Sequence, residues 1–318
     1  MAKYADAPEW QDIIPIPQDE GGPKPLAAIA YTEEYSEAMS YLRAVMAKNE
    51  MSQRALDLTE DVIGMNPAHY TVWLYRAKVV FSLPKDVSEE LEWLDSLTSA
   101  GSMKYLKNFQ IWHHRQTIMA RIPTLPPTEI PFLARTLSKD AKNYHVWSYR
   151  QWLVRHFSLW DSELPYVESL LRSDIRNNSA WNHRWYIVFG RPSHDGGLGE
   201  KEEVSVEVVD REIEYVVVAI WQAPQNQSPW NYLRGVLKES RRELGQLKEL
   251  AGEFANLDKE DEVRSSHSLE FLADAFAAEN DEERAGKALE LLAKRYDPIR
   301  KNYWNYRRGL LGLGAVEA

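Results

Sequence analysis

The sequence predicts an all-α fold, a right-handed superhelical solenoid of antiparallel helical hairpins, and three observations carry that prediction. Five tryptophans, at 73, 112, 147, 181 and 230, each end a near-copy of one short segment, and a weaker sixth copy ends at Trp304. Their successive spacings of 39, 35, 34 and 49 residues lie near the period of helical-hairpin repeats, about 34 to 47 residues. After each tryptophan, apolar residues recur at helical intervals, as in Trp73-Leu-Tyr-Arg-Ala-Lys-Val-Val-Phe81.

Taken in chain order, residues 1–30 hold Pro8, Pro15, Pro17, Pro23 and Pro25, which predicts an extended arm apart from the core, followed by a single repeat domain over 31–318. Asn66-Pro67 offers an N-cap with proline at the first helical position, ahead of the helix carrying Trp73. Asp86-Val-Ser-Glu89 has capping-box spacing before the apolar run that starts at Leu91. Gly190-Arg-Pro-Ser-His-Asp-Gly-Gly-Leu-Gly199 is a turn-rich insertion that lengthens the 49-residue step. Ile213-Glu-Tyr-Val-Val-Val-Ala-Ile220 has a strand-like composition, yet it occupies the slot of a first helix and is read as one. Between Trp230 and Trp304 a degenerate unit is expected near 265–278, and Asp297-Pro298 repeats the N-cap and proline pattern.

Composition removes several classes of function. The chain has 38 Lys and Arg against 48 Asp and Glu, a net charge of −10 that disfavours general nucleic-acid binding. It has no Cys, which excludes disulfides, thiolate metal sites and a cysteine nucleophile; with no apolar signal core at the N-terminus, a cytoplasmic location is expected. No run of about 20 apolar residues offers a membrane span. The eight histidines include no pair at i,i+3 or i,i+4, and no phosphate-loop or nucleophile-elbow pattern occurs. A complete active site is therefore not expected.

Arginine follows tryptophan by three at 76, 115, 150, 184 and 307, so the two residue types share a helix face. The reading is a packing code, indole in the seam between hairpins and guanidinium on an acidic residue or carbonyl of a neighbouring unit. The unit of Trp230 breaks the code, with Leu233 at the third place and Arg234 at the fourth, and is expected to pack differently. Residues two to five places before tryptophan vary while keeping their geometry: Tyr70; Lys107, Asn108, Phe109 and Gln110; Lys142, Asn143, Tyr144 and His145; Asn177 and Asn178. Such positions line one side of a solenoid at helix N-termini, where backbone N–H groups and the dipole favour a phosphate or carboxylate.

Asp140-Ala-Lys-Asn-Tyr-His-Val-Trp-Ser-Tyr-Arg150, Arg176-Asn-Asn-Ser-Ala-Trp-Asn-His-Arg184 and Ser228-Pro-Trp-Asn-Tyr-Leu-Arg234 resemble the repeats of protein prenyltransferase alpha subunits, most closely the type shared by farnesyltransferase and geranylgeranyltransferase type I. The arm, through Pro8-Glu-Trp-Gln-Asp-Ile-Ile-Pro-Ile-Pro17, shares the resemblance. It implies a crescent of helical hairpins wrapped around an obligate beta subunit that carries the catalytic zinc and most of the prenyl pocket, with magnesium serving farnesyl transfer. The implied reaction joins the thiol of a C-terminal CaaX cysteine to C1 of farnesyl or geranylgeranyl diphosphate and releases diphosphate. By the same resemblance Lys107, Tyr144 and His145 address the diphosphate, Gln110 the terminal carboxylate of the peptide and Tyr70 the peptide rim, with Asn108 and Asn143 beside them as substrate-binding candidates. Phe109 stands where the family often has Tyr, and His69 stands where the other units have Asn.

Two other readings use the same period: the alpha subunit of Rab geranylgeranyltransferase, and a non-enzymatic scaffold of the tetratricopeptide kind. The second fits less well, since Trp-x-x-Arg is not the tetratricopeptide pattern. The net charge of −10 also suggests steering of CaaX proteins with basic upstream segments.

Overall fold

A computed structural model describes residues 3–22, 25–27, 29–99, 103–192 and 203–316. The regular elements among them are helical, and an isolated antiparallel bridge joins Ala255 to Val263. The chain divides into two compact units, Met1–Ser158 and Leu159–Ala318. The first holds α1 (Glu33–Ala47), α2 (Gln53–Met65), α3 (Tyr70–Ser82), α4 (Val87–Ser99), the short α5 (Met103–Leu106), α6 (Phe109–Met119), α7 (Glu129–Lys139) and α8 (Tyr144–His156). The second holds α9 (Trp160–Ser173), α10 (Asn178–Phe189), α11 (Val206–Gln222), α12 (Gln227–Glu239), α13 (Lys248–Gly252), α14 (Ser266–Ala278), α15 (Glu282–Leu291) and α16 (Lys301–Leu310). The β-branched run at 213–220 lies inside α11, and the degenerate unit is α14, capped by Ser265. The glycine-rich insertion falls mostly outside the described residues.

The five clear repeat tryptophans are buried, and the indole N–H of each closes a local loop on the carbonyl six residues earlier: Trp73 on Pro67 (2.9 Å), Trp112 on Leu106 (2.9 Å), Trp147 on Ala141 (2.9 Å), Trp181 on Ile175 (2.8 Å) and Trp230 on Pro224 (2.8 Å). An indole can fill a seam in this way because its one polar atom is satisfied at the edge. Within each compact unit, carbonyls of this set also accept a bond from the next repeat. In the first unit of the fold Asn108 Nδ2 reaches Pro67 O (3.0 Å) and Asn143 Nδ2 reaches Leu106 O (3.1 Å). In the second, Asn226 Nδ2 reaches Ile175 O (2.8 Å) and Ser265 Oγ reaches Pro224 O (2.5 Å).

The arginines complete the code. Arg76 grips Glu90 through two bonds of 2.6 and 2.8 Å, Arg115 grips Glu129 at 2.8 and 2.6 Å, and Arg184 grips Glu212 at 2.6 and 2.9 Å. Three residues after each glutamate an aromatic ring lies over the guanidinium: Trp93 at 3.5 Å, Phe132 at 4.1 Å and Tyr215 at 3.6 Å. Trp-x-x-Arg of one hairpin is therefore locked into Glu-x-x-aromatic of the next, a bidentate ion pair with a stacked planar cation. The same glutamate also serves its own hairpin, as where His114 Nε2 meets Glu90 (2.7 Å) and Tyr232 Oη donates to Glu212 (2.7 Å). Burial pushes the Glu90 carboxyl up, but the bonds from His114 and Arg76 outweigh it and hold the group below its usual range. Burial lowers His114, so the ring is neutral and donates through Nε2.

The unit of Trp230 does pack differently: Leu233 is fully buried in the arginine's place, while Arg234 and Arg307 share Asp274 of α14. Two readings are corrected and one is refined. The helix after Asn66-Pro67 begins at Tyr70, because Asn66 accepts from Ala68 N (3.3 Å) in a turn; His69, at the N-cap place, makes no capping bond. Asp297 and Pro298 do stand at the N-cap and first position, but of a short 3-10 turn, Pro298–Arg300, that runs on into α16, and Asp297 makes no capping bond. Part of the arm belongs to the core: Tyr4, Trp10 and Ile13 are buried, Tyr4 and Trp10 pack against Tyr41 of α1, and Glu37 accepts the backbone N–H groups of Lys3, Tyr4 and Ala5 at 3.0 Å each.

Candidate functional site

The unit Met1–Ser158 sets the starts of three successive tryptophan helices, α3, α6 and α8, side by side. Two asparagines fix this register. Asn108 Oδ1 accepts from Gln110 N (2.8 Å) and Ile111 N (3.3 Å), and its Nδ2 ties the start of α6 to Pro67 at the start of α3. Asn143 Oδ1 accepts from His145 N (3.0 Å) and Val146 N (3.3 Å), and its Nδ2 ties the start of α8 to Leu106 beside the start of α6. Each amide thus caps its own helix and staples it to the preceding one. Both ends of the Asn108 and Asn143 side chains are engaged within the fold, and Asn143 is buried.

On this frame Tyr70, Lys107, Phe109 and Tyr144 face solvent. Lys107 occupies the turn between α5 and α6; its side chain is 64% exposed and its Nζ lies 3.7 Å from Asp140 Oδ2. That separation exceeds a hydrogen bond, so the ammonium is held near the α6 start by a loose ion pair that an anionic ligand can outcompete. Tyr144, the first residue of α8, is 75% exposed and its ring stands edge-on to His145 with centroids 5.7 Å apart. His145 in turn faces Phe109 of α6, at 6.2 Å. The structure therefore brings Tyr144 and His145 together with the residues beside Lys107. Gln110 is half-buried in the first turn of α6, and no hydrogen bond to its side-chain amide occurs among the described residues. Tyr70, also exposed, begins α3; its ring contact is with His69, at 6.4 Å, so it stands at the edge of the group.

Chemically the surface combines a cation, a phenol, an imidazole and a primary amide at the N-terminal ends of two helices of 11 and 13 residues. That set donates hydrogen bonds and positive potential, which suits anionic oxygens. Among the described residues no group of three or more His, Cys, Asp and Glu side chains could hold a metal ion, and the buried His114 and His183 are joined to Glu90 and Glu163. The donor set of the described residues does not fit a catalytic zinc. Among the described residues no helix is long and apolar enough to cross a membrane.

Sequence reasoning passed over His113. Four residues after Phe109, it shares that residue's helix face and stacks on its ring at 5.7 Å with 8° between the planes. Asp140, the partner of Lys107, lay in a motif that was read for its asparagine and tyrosine.

Comparison with known proteins gives a consistent result. The family model described as protein prenyltransferase alpha subunit repeat matches residues 52–83, 126–157, 160–190 and 209–240. A Candida albicans protein named protein farnesyltransferase/geranylgeranyltransferase type-1 subunit alpha is 37% identical over 308 residues, covering 94% of this chain and 96% of the relative. A protein of the same name from Solanum lycopersicum is 37% identical over 334 residues, covering 99% and 93%. The solved structure of Candida albicans protein geranylgeranyltransferase-I complexed with GGPP contains a chain that superposes with a TM-score of 0.83 at 36% identity, over 94% of this chain and 97% of that one. The geranylgeranyl transferase type-2 subunit alpha of Mus musculus matches over 62% of this chain, at 30% identity.

Proposed function

The chain belongs to the protein prenyltransferase alpha-subunit family; on that premise we propose that it forms one half of a transferase heterodimer, pairing with a beta subunit to transfer farnesyl or geranylgeranyl from the diphosphate to the cysteine thiol of a C-terminal CaaX motif, in the cytoplasm. The observation that carries this reading is the match of nearly the whole chain to type-1 alpha subunits, against a shorter match to the type-2 relative. It favours the type-1 reading over the Rab-type alternative and over a scaffold without catalysis.

Within that reaction the residues at the starts of α6 and α8 act on the leaving group. As the bond between C1 and the diphosphate oxygen breaks, negative charge gathers on the departing phosphates. Lys107, loosely paired with Asp140, turns its ammonium to those oxygens, and Tyr144 Oη and a ring N–H of His145 donate to them. The helix N-termini add positive potential without reorganisation. The Gln110 amide donates to the carboxylate that ends the CaaX peptide, and Tyr70 forms the rim beside it. Asn108 and Asn143 contribute by holding the helix starts in place. Zinc, which activates the peptide thiol when bound, and magnesium, which serves farnesyl transfer, are assigned to the partner side; no cluster of donors among the described residues of this chain fits a metal.

The test is Lys107→Ala in the assembled heterodimer. Loss of about tenfold or more in turnover, some 1.4 kcal/mol of transition-state stabilisation, is expected, with partial recovery in Lys107→Arg. Turnover unchanged in Lys107→Ala would remove Lys107 from the leaving-group chemistry.

A further inference from the structure

The row of rings at the starts of α6 and α8 assigns work to two residues outside the diphosphate set. His145 has its backbone N–H on Asn143, yet no hydrogen bond to either ring nitrogen occurs among the described residues. Among the described residues its imidazole has ring contacts with Phe109, at 6.2 Å and 60°, and with Tyr144, at 5.7 Å and 79°. Tyr144 is itself 75% exposed and is a weak support. Phe109 is 59% exposed, so core packing does not explain a large apolar ring at this place. What distinguishes it is the parallel stack on exposed His113, one helical turn on within α6, at 5.7 Å and 8°. That stack restricts the Phe109 ring on one side, and His145 lies against it from α8.

We infer that Phe109 is a positioning residue for His145 and that His113 is the backing that keeps Phe109 in place. The inference rests on the reading of this site as the leaving-group site. An imidazole whose orientation is settled before the charge develops loses less freedom in reaching the transition state. Phe109 carries no hydroxyl, so it cannot compete with His145 for an anionic oxygen; its contribution is shape alone.

The experiment is a double-mutant cycle in the heterodimer, under saturating prenyl diphosphate, with kcat and the KM for a CaaX peptide measured separately. Phe109→Ala is expected to lower kcat about fivefold while the peptide KM stays within about twofold, and Phe109→Tyr, which keeps the ring, recovers most of the loss. His113→Ala is expected to cost about two- to threefold in kcat, a cost that vanishes when Phe109 is already Ala. In a His145→Ala background, Phe109→Ala is expected to cost nothing further. Both residues are exposed, so heterodimer yield and melting temperature serve as the check that the variants assemble. The inference is overturned if Phe109→Ala costs the same factor with and without His145, or if it leaves kcat unchanged. If His145→Ala alone has no effect on turnover, the leaving-group reading of this surface fails first and the inference falls with it, a result the single variant reveals by itself.

Discussion

Replacing Arg115 by Met tests whether the Trp-x-x-Arg code works as an interlock between hairpins. Arg115 holds Glu129 by two bonds of 2.8 and 2.6 Å and reaches Asp95 at 2.6 Å, and the Glu129 side chain is 1% exposed. Burial opposes the charge on Arg115, but the Glu129 bonds outweigh it and raise the guanidinium further above its ordinary value. Removing one partner of such a pair strands a buried carboxylate, at a cost of about 3–5 kcal/mol. Asp95 is 38% exposed and adds little. For a unit of this size the loss corresponds to a fall of about 6–20 °C in melting temperature. Differential scanning fluorimetry on the assembled heterodimer at fixed concentration measures it. The double variant Arg115→Met with Glu129→Leu removes both charges and leaves apolar side chains of similar size, and it should recover most of the loss. A fall of less than about 1 kcal/mol in Arg115→Met, or a double variant as damaged as the two singles added together, would refute the interlock.

Three further outcomes follow from the same geometry. Asn143→Leu removes the cap on α8 and the staple to Leu106, costing about 1–2 kcal/mol and lowering turnover by shifting Tyr144 and His145; Asn143→Asp keeps the cap and should retain more stability, as read by urea unfolding. On acidification, His114 refuses a proton that the unfolded chain accepts at about pH 6.5, because burial depresses its folded value. Stability is therefore complete above pH 6.5 and declines as pH falls below it, joined at lower pH by Glu90, whose folded value is also depressed, and His114→Gln should flatten the upper part of that curve in pH-dependent melts. Gln110→Ala should raise the KM for CaaX peptides several-fold with little change in kcat, since a carboxylate contact made equally in the ground and transition states shows as uniform binding.

Much of the fold was legible because repeat architectures write their packing into periodic residues. The tryptophan period located the hairpins, and it overruled the β-branched composition of 213–220, which the structure places in α11. It also located α14 without its tryptophan, since Leu269 fills the indole's slot. The arginine partners were present in the sequence as Glu90-x-x-Trp93, Glu129-x-x-Phe132 and Glu212-x-x-Tyr215. They went unread because the separation from arginine to glutamate is 14 residues in two hairpins and 28 in the third, which breaks the apparent period. The shared carbonyls of Pro67 and Leu106 were illegible for a different reason: a backbone oxygen has no residue signature, so the second role of Asn108 and Asn143 appears only in three dimensions. In the arm, proline marked the absence of helix but said nothing of docking; the signal for that was Tyr4 and Trp10, which are large apolar residues in an otherwise polar stretch. At the candidate site, position relative to tryptophan was enough to single out Tyr144 and His145, while the stack of His113 on Phe109 needed the side-chain geometry.

The most direct measurement is co-expression of the full chain with a type-1 beta subunit, followed by isolation of the complex and assay of transfer from labelled prenyl diphosphate to a peptide ending in CaaX. A stable one-to-one heterodimer that labels the cysteine, and does so about tenfold or more slowly with Lys107→Ala, is the predicted result. A chain that forms no complex with the beta subunit, or a complex that transfers no prenyl group to the cysteine, would contradict the account.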